Sequence, residues 1–205
     1  MKISYNWLKD YCKHDLSVEE LAEGLTNAGL VVDTVNPVED DFCLEVEVTS
    51  NRPDCLGFIG VAREVATIVR GKLDIPDVGY DTMGENINDI TSVTVEDNVL
   101  CQRYTARIIK DVKIGPSPGW LQKKISSIGL RPINNIVDIT NYVLMESGQP
   151  LHTFDFSRLS ESRIVVRRAK KEETMEAIDG SKCTLTDDML VIADSQKPVA
   201  IAGIM

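Results

Sequence analysis

Apolar positions recur at helical spacing between residues 17 and 29, where Val18, Leu21, Leu25 and Ala28 share one face. Ser17 and Glu20 stand ahead of that face at capping-box spacing, and Gly29 suits its C-terminal stop. The period then switches to two. In FCLEVEV, 42–48, Phe42, Leu44, Val46 and Val48 alternate with Glu45 and Glu47, which predicts a strand with one wet, acidic face. A second helix is predicted from about Gly57 to Val69, with Val61, Val65 and Ile68 on one side and Gly71 after it. These pieces make a small N-terminal α+β unit, 1–75, whose expected core is Leu21, Leu25, Val46, Val48, Val61 and Val65. Residues 76–91 mix Pro, Gly, Asp and Asn without periodicity and read as a linker.

Beyond the linker, strand and helix patterns alternate through a second unit, 92–205. SVTVED and RYTARIIK read as strands. Ser117-Pro118 has the cap and first-turn proline of a helix start, the helix carries Leu121, Ile125 and Ile128, and Gly129 stops it. A further helix covers NNIVDITNYVLMES. RIVVRRA, TMEAI, CTLT, MLVIAD and PVAIAGIM are then all strand-like, and Asp179-Gly180 signals a tight hairpin between two of them. The fold class predicted is α/β or α+β, with a mixed sheet in the second unit. The terminal VAIAGIM is uncharged and reads as a strand that continues a sheet, with Met205 as an artificial boundary of a longer protein.

Composition narrows the class. The 205 residues are 43% hydrophobic and 26% charged, ordinary values for a globular protein. No apolar run approaches the ~20 residues that span a bilayer. MKISYNWLKDY lacks the apolar core of a secretory signal, so a cytoplasmic location with no membrane partner is expected. The five cysteines are scattered without a Cys-x-x-Cys pair, which argues against a disulfide framework or a zinc site. Cys43 and Cys183 fall in strand-like runs and read as small buried residues. A net charge of −10 is the wrong sign for a protein that wraps nucleic acid by itself, so RNA would be touched locally or mainly by another subunit; DNA is not among the expected partners. The basic cluster Arg163, Arg167, Arg168, Lys170 and Lys171 reads as a solvated strand end.

Two stretches hold more polar chemistry than architecture needs. In TSNRPDCLGFIGVAREVA, Asp54 is placed to cap the following helix and Arg52 to bridge the turn to a carboxylate. No phosphate-binding glycine loop, serine nucleophile elbow or His-Glu-x-x-His is present, so no ATP chemistry and no metal site are legible. The second stretch is 131–155. Arg131 opens it, Asp138, Thr140 and Asn141 lie on a helix where a core needs no polar group, and His152 follows a Gly-Gln-Pro break. Taken singly, Thr140 bonds back to its own helix and a lone His is satisfied locally. Taken together, Arg131, Thr140 and His152 are expected to line one concave surface of the second unit.

The motifs ISYNWLKDY, LAEGLTNAGLVVDTV, VTSNRPDCLGFIGVAREVA, RPINNIVDITNYVLMESGQPLHTFD and LVIADSQKPVAIAGIM, in that order, resemble the N-terminal part of the β-subunit family of bacterial phenylalanine–tRNA ligase. The resemblance implies that the second unit belongs to an editing domain that hydrolyses tyrosine mis-attached to phenylalanine tRNA. It carries Arg131, Thr140 and His152 over as pocket residues with catalytic roles, and Asn141, Ala202 and Gly203 as substrate-facing positions. It implies the ligase α subunit and phenylalanine tRNA as partners. ATP and magnesium are implied for the whole enzyme at an α-subunit site, and no cofactor for this chain. Two departures stand out. Family members usually carry an oligonucleotide-binding-fold insert before EVEVTSNRPD, and only NPVEDD stands there; the family chain also continues past AIAGIM. Alone, the 205-residue chain is expected to be inactive. Two other classes fit the residues: a scaffold or docking module without chemistry, and a free-standing homologue with another substrate.

Overall fold

The computed structural model describes residues 1–82, 84–178 and 180–203. The chain divides into two compact units that are not consecutive in sequence. The first joins Met1–Tyr80 to Lys113–Thr153, and the second joins Asp81–Val112 to Phe154–Met205. The linear division at 75 and 92 is therefore corrected. The reason is packing: Ile128, Tyr142 and Met145 sit against the N-terminal core, so both helices of 113–153 belong with it.

The first unit holds β1 (Lys2–Ser4), α1 (Tyr5–Leu8), α2 (Val18–Asn27), β2 (Val32–Val38), β3 (Asp41–Val46) and α3 (Phe58–Ile68), followed by α4 (Gly119–Ser127) and α5 (Asn135–Ser147). Its strands form an antiparallel sheet in the order β1-β3-β2, with Ile3 and Val35 both paired to Leu44. The capping box of α2 is formed: Glu20 N–H donates to Ser17 Oγ at 3.2 Å, and Ser17 N–H to the Glu20 carboxylate at 2.7 Å. Leu21, Leu25, Val46, Val61 and Val65 are buried as the pattern requires and Val48 packs at the core's margin, but Ala28 is exposed. Phe42 is also on the outside, edge-on to the Tyr5 ring, whereas Cys43 beside it is buried. Strand β2 turns directly into β3 at Glu39-Asp40, so the short NPVEDD joint closes a hairpin.

The second unit holds β4 (Ser92–Val95), β5 (Arg163–Arg168), β6 (Thr174–Glu176), β7 (Lys182–Thr184), β8 (Leu190–Ala193) and β9 (Pro198–Ile201). A four-stranded sheet runs β4-β5-β8-β9, with β4 parallel to β5 and the other pairs antiparallel. It is the mixed sheet the pattern predicts. Strand β5 alternates, with Ile164 and Val166 buried, whereas Val191, Ile192 and Ala193 of β8 are buried in succession, as a strand covered on both faces requires. Strands β6 and β7 form a separate hairpin. Asp179 of its turn lies outside the described residues, as do Ile204 and Met205 of the expected terminal strand. Cys183 on β7 is only half-buried.

RYTARIIK is not a strand. Its alternation supplies two faces, but no described strand pairs with it, and Ile109 is 78% exposed. The basic cluster is mostly spent on acids of its own unit: Arg163 on Glu161 at 2.9 Å, Arg168 on Asp97 at 2.6 Å, and Arg167 on Glu173 through two parallel bonds of 2.8 and 2.9 Å.

Asp194, buried after β8, accepts the backbone N–H groups of Ser160, Gln196 and Lys197 at 3.1, 2.8 and 2.9 Å. Burial by itself raises a carboxyl pKa; the three amides outweigh it and hold Asp194 below its ordinary value of 3.8. A depressed folded pKa contributes stability that is present above the unfolded value and is lost as pH falls through the folded one. Asp194→Asn is therefore expected to flatten the fall in melting temperature of the chain below about pH 4. An unchanged acid slope in the variant contradicts that role.

Candidate functional site

Helix α5 and its flanks carry most of the predicted site, so the contacts that set α5 in place matter first. Asn134 caps it, accepting the N–H groups of Ile136 and Val137 at 3.0 Å each. Asn135 reaches back to the preceding loop, accepting from Gly115 N–H at 3.2 Å and donating to Lys113 O at 3.0 Å. At the other end Gly148 adopts φ 74°, the left-handed conformation that suits a glycine stop, and its N–H bonds to Leu144 O at 2.8 Å. Gly57 meets this end so closely that a Cβ there would lie 2.6 Å from the Gly148 nitrogen.

Asp138 does not face a cleft. It is fully buried, accepting the Ser117 hydroxyl at 2.5 Å and the Ile133 N–H at 2.9 Å. This also corrects the start of α4. Ser117 is occupied with Asp138, Pro118 takes the cap position without a side-chain bond, and the helix begins one residue late at Gly119. Tyr142 of α5 is stacked on Trp7 at 4.8 Å between ring centroids. Tyr11 donates to Glu146 at 2.7 Å and accepts from Trp7 Nε1 at 3.0 Å. Burial first, then its bonds with Tyr142 and Glu146, push the Tyr11 phenol well above its usual pKa, so it stays protonated.

Arg131 is exposed in the loop before α5, and among the described residues its side chain makes no hydrogen bond or ion pair. Thr140 and Asn141 are half-buried on α5. The Thr140 hydroxyl donates to Val137 O at 2.7 Å, the back-bond a mid-helix threonine favours. His152 is exposed, four residues past the glycine cap. These four residues all lie in the first unit; Ala202 and Gly203 follow β9 in the second. Ala202 N–H donates to Leu190 O at 3.0 Å, and Gly203 adopts φ 78°. A depression of about 360 Å³ in the second unit is lined by Thr174, Met175, Glu176, Lys197, Pro198 and Val199. Another, of about 220 Å³ in the first, is lined by residues that include Trp7, Asp10, Trp120 and Lys124. Neither includes a predicted site residue.

The NRPD turn holds the ion cluster expected of it, in a different form. Arg52 Nε and Nη2 bond the Asp54 carboxylate at 3.0 and 2.9 Å, and Nη2 also reaches Glu64 at 2.7 Å. Asp54 therefore does not cap α3, whose cap position is Gly57. Asp54, Cys55 and Glu64 place three potential metal-donor atoms within 4.8 Å of one another. The Arg52 guanidinium supplies the positive charge at that point, and burial followed by the bond with Asp54 pushes the Cys55 thiol up to about 11, so it offers no thiolate at neutral pH. The set is an arginine clamp on a turn.

Comparison with known proteins agrees with the order of motifs. Residues 100–205 match the B3/4 domain family model. The chain belongs to the B3/4 domain family. It is 46% identical over all 205 residues to the phenylalanine–tRNA ligase β subunit of Rhodopirellula baltica, covering 30% of that protein. It is 46% identical over 193 residues to the β subunit of Desulfotalea psychrophila, 94% of this chain and 23% of that one. The chain thus spans less than a third of the length of these relatives. A crystal structure of an N-terminal fragment of the phenylalanyl-tRNA synthetase β subunit from Pyrococcus horikoshii aligns with 99% of this chain and 61% of that chain. Its TM-score is 0.51 at 17% identity, a likeness of fold alone.

The predicted fold class is therefore correct, and the likeness to the N-terminal part of that β subunit is shown. The burial of Asp138 and its tie to Ser117 escaped sequence reading. The available signal was a carboxylate in the first turn of a helix otherwise led by Ile136 and Val137.

Proposed function

We propose that the chain acts as the N-terminal part of a phenylalanine–tRNA ligase β subunit, and that Arg131, Thr140 and His152 belong to a pocket that hydrolyses tyrosine mis-attached to phenylalanine tRNA. The observation that carries the reading is the 46% identity over the whole chain to a β subunit of that ligase, with a B3/4 match over its second half. Its partners are the ligase α subunit and phenylalanine tRNA, and its location is the cytoplasm. Among the described residues no helix is long and apolar enough to cross a membrane. Attachment of phenylalanine, with its ATP and magnesium, belongs to the α subunit.

The need for such a pocket is physical. An apolar pocket rejects an added hydroxyl only ~10²-fold, so a site built for phenylalanine admits some tyrosine. A second site that hydrogen-bonds the hydroxyl discriminates more strongly, because phenylalanine leaves its buried polar groups unpaired. The ester of an aminoacyl-tRNA is already activated, so a positioned water with modest proton help is enough. Among the described residues the exposed Arg131 side chain makes no hydrogen bond or ion pair, which suits it to a phosphate or carboxylate, and an imidazole such as that of His152 is the side chain best suited to proton help near pH 7.

In the complete α/β ligase, His152→Ala is expected to slow deacylation of Tyr-tRNA by about 10²-fold, the usual size of a proton-transfer contribution, with phenylalanine attachment nearly unchanged. Equal deacylation by variant and parent refutes the assignment.

A further inference from the structure

We infer that Asp138 is a positioning residue of this same site: it fixes the loop that carries Arg131 to the helix that carries Thr140. The inference rests on the reading of Arg131 as a pocket residue. Asp138 is 0% exposed, and a buried carboxylate is tolerated only where hydrogen bonds replace its water. Its two oxygens serve different segments. One accepts Ile133 N–H at 2.9 Å, two residues after Arg131, and the other accepts the Ser117 hydroxyl at 2.5 Å from the loop before α4. Its own N–H bonds Asn134 O at 2.9 Å, which ties it to the cap of α5. Pro132 stands between Arg131 and Ile133 with its φ fixed by the ring, so the anchor at Ile133 reaches Arg131 through a stiff link.

Arg131 depends on that anchor. Among the described residues its guanidinium makes no bond that would place it, so its position is set by the backbone alone. Thr140 lies two residues beyond Asp138 on the same helix, on a different face, its hydroxyl held on Val137 O. The carboxylate therefore sets the spacing of two predicted pocket groups while contacting neither side chain. A simple helix cap would not need the Ser117 bond, since Asn134 already satisfies the N–H groups of Ile136 and Val137.

The test is a double-mutant cycle in the complete α/β ligase, read as kcat and KM for deacylation of Tyr-tRNA, with phenylalanine attachment as the folding control. Arg131→Ala and Asp138→Ala are each expected to lower kcat/KM about 10²-fold, the size of effect that a misplaced reacting group produces. The double variant is expected to lose no more than Arg131→Ala alone. Asp138→Asn, which keeps an acceptor for Ile133 N–H, is expected to recover most of the rate. Ser117→Ala, which leaves the Ile133 bond in place, is expected to lose less than Asp138→Ala. Additive losses in the cycle, or full deacylation by Asp138→Ala, overturn the positioning role while leaving the pocket reading intact. Full deacylation by Arg131→Ala overturns both. Should Asp138→Ala fail to assemble, the cycle is run with Ser117→Ala against Arg131→Ala, and additivity overturns the inference in the same way.

Discussion

Trp7→Ala is expected to lower the unfolding free energy of the chain by about 3–5 kcal/mol, the range for truncating a large aromatic side chain in a packed core. Trp7 is 2% exposed. Its ring is stacked between Phe58 at 4.1 Å and Tyr142 at 4.8 Å between centroids, near parallel to both. Its indole N–H donates to Tyr11, so truncation removes a buried hydrogen bond together with two ring contacts. No neighbour of matching shape can close the gap: Phe58 is tied to α3 and Tyr142 to α5, and both helices are held at their ends by other contacts. Trp7→Phe keeps one ring and is expected to cost roughly half as much. Chemical denaturation of the two variants beside the parent measures both values. A loss under about 1 kcal/mol for Trp7→Ala contradicts the packing described.

The same stack explains why the domain boundary was not legible. Helix α2 was, because its start carries a capping box and its face carries Leu21 and Leu25 at ideal spacing. Local chemistry of that kind is written in consecutive residues. That Tyr142 packs on Trp7, 135 positions earlier, is not, since any apolar face on α5 satisfies the periodicity equally well. RYTARIIK fails for the complementary reason. Alternation describes what a strand presents on each face and says nothing of whether a ladder partner lies beside it. At the start of β3 burial does not follow the alternation: Phe42, paired opposite Pro37 on β2, is exposed, while its neighbour Cys43 is buried.

The candidate site shows the same limit at finer scale. Arg131, Thr140 and His152 were singled out by polarity and by family likeness, and each has a local environment that sequence could suggest, down to the back-bond of Thr140. The residue that links their segments was legible only as a misplaced polar group. Of Asp138, Thr140 and Asn141, the polar groups on the helix, some are expected to face a polar cleft, and Asp138 is the most deeply buried of the three. A carboxylate on a helix reads identically whether it meets water or two hydrogen-bond donors; only the fold brings Ser117 and the Ile133 amide to it.

The turn that carries Arg52 has no room for another atom at its centre. Gly60 lies in the first turn of α3, directly against the 3-10 turn Pro53–Cys55. A Cβ on Gly60 would fall 1.7 Å from the carbonyl oxygen of Asp54 and 2.6 Å from its carbon. These are backbone atoms of a turn whose Asp54 carboxylate is held by Arg52, so they cannot move aside as a side-chain end does. Either α3 shifts away from the turn, exposing Val61 and Val65, or the clamp opens and leaves its charges poorly paired. Gly60→Ala is therefore expected to cost about 3 kcal/mol or more, at the top of the range for overpacking. Gly119→Ala is the matched control: nothing lies within 4 Å of its added carbon, and alanine at a helix start is expected to be neutral or slightly stabilising. The effect of Gly60→Ala reaches α5 as well, because the α3 cap residue Gly57 sits against the Gly148 backbone and a displaced α3 loosens the segment leading to His152. Amide hydrogen exchange at 147–152 is expected to rise in Gly60→Ala and not in Gly119→Ala. Unfolding within about 1 kcal/mol of the parent for Gly60→Ala, with unchanged exchange, contradicts this close approach.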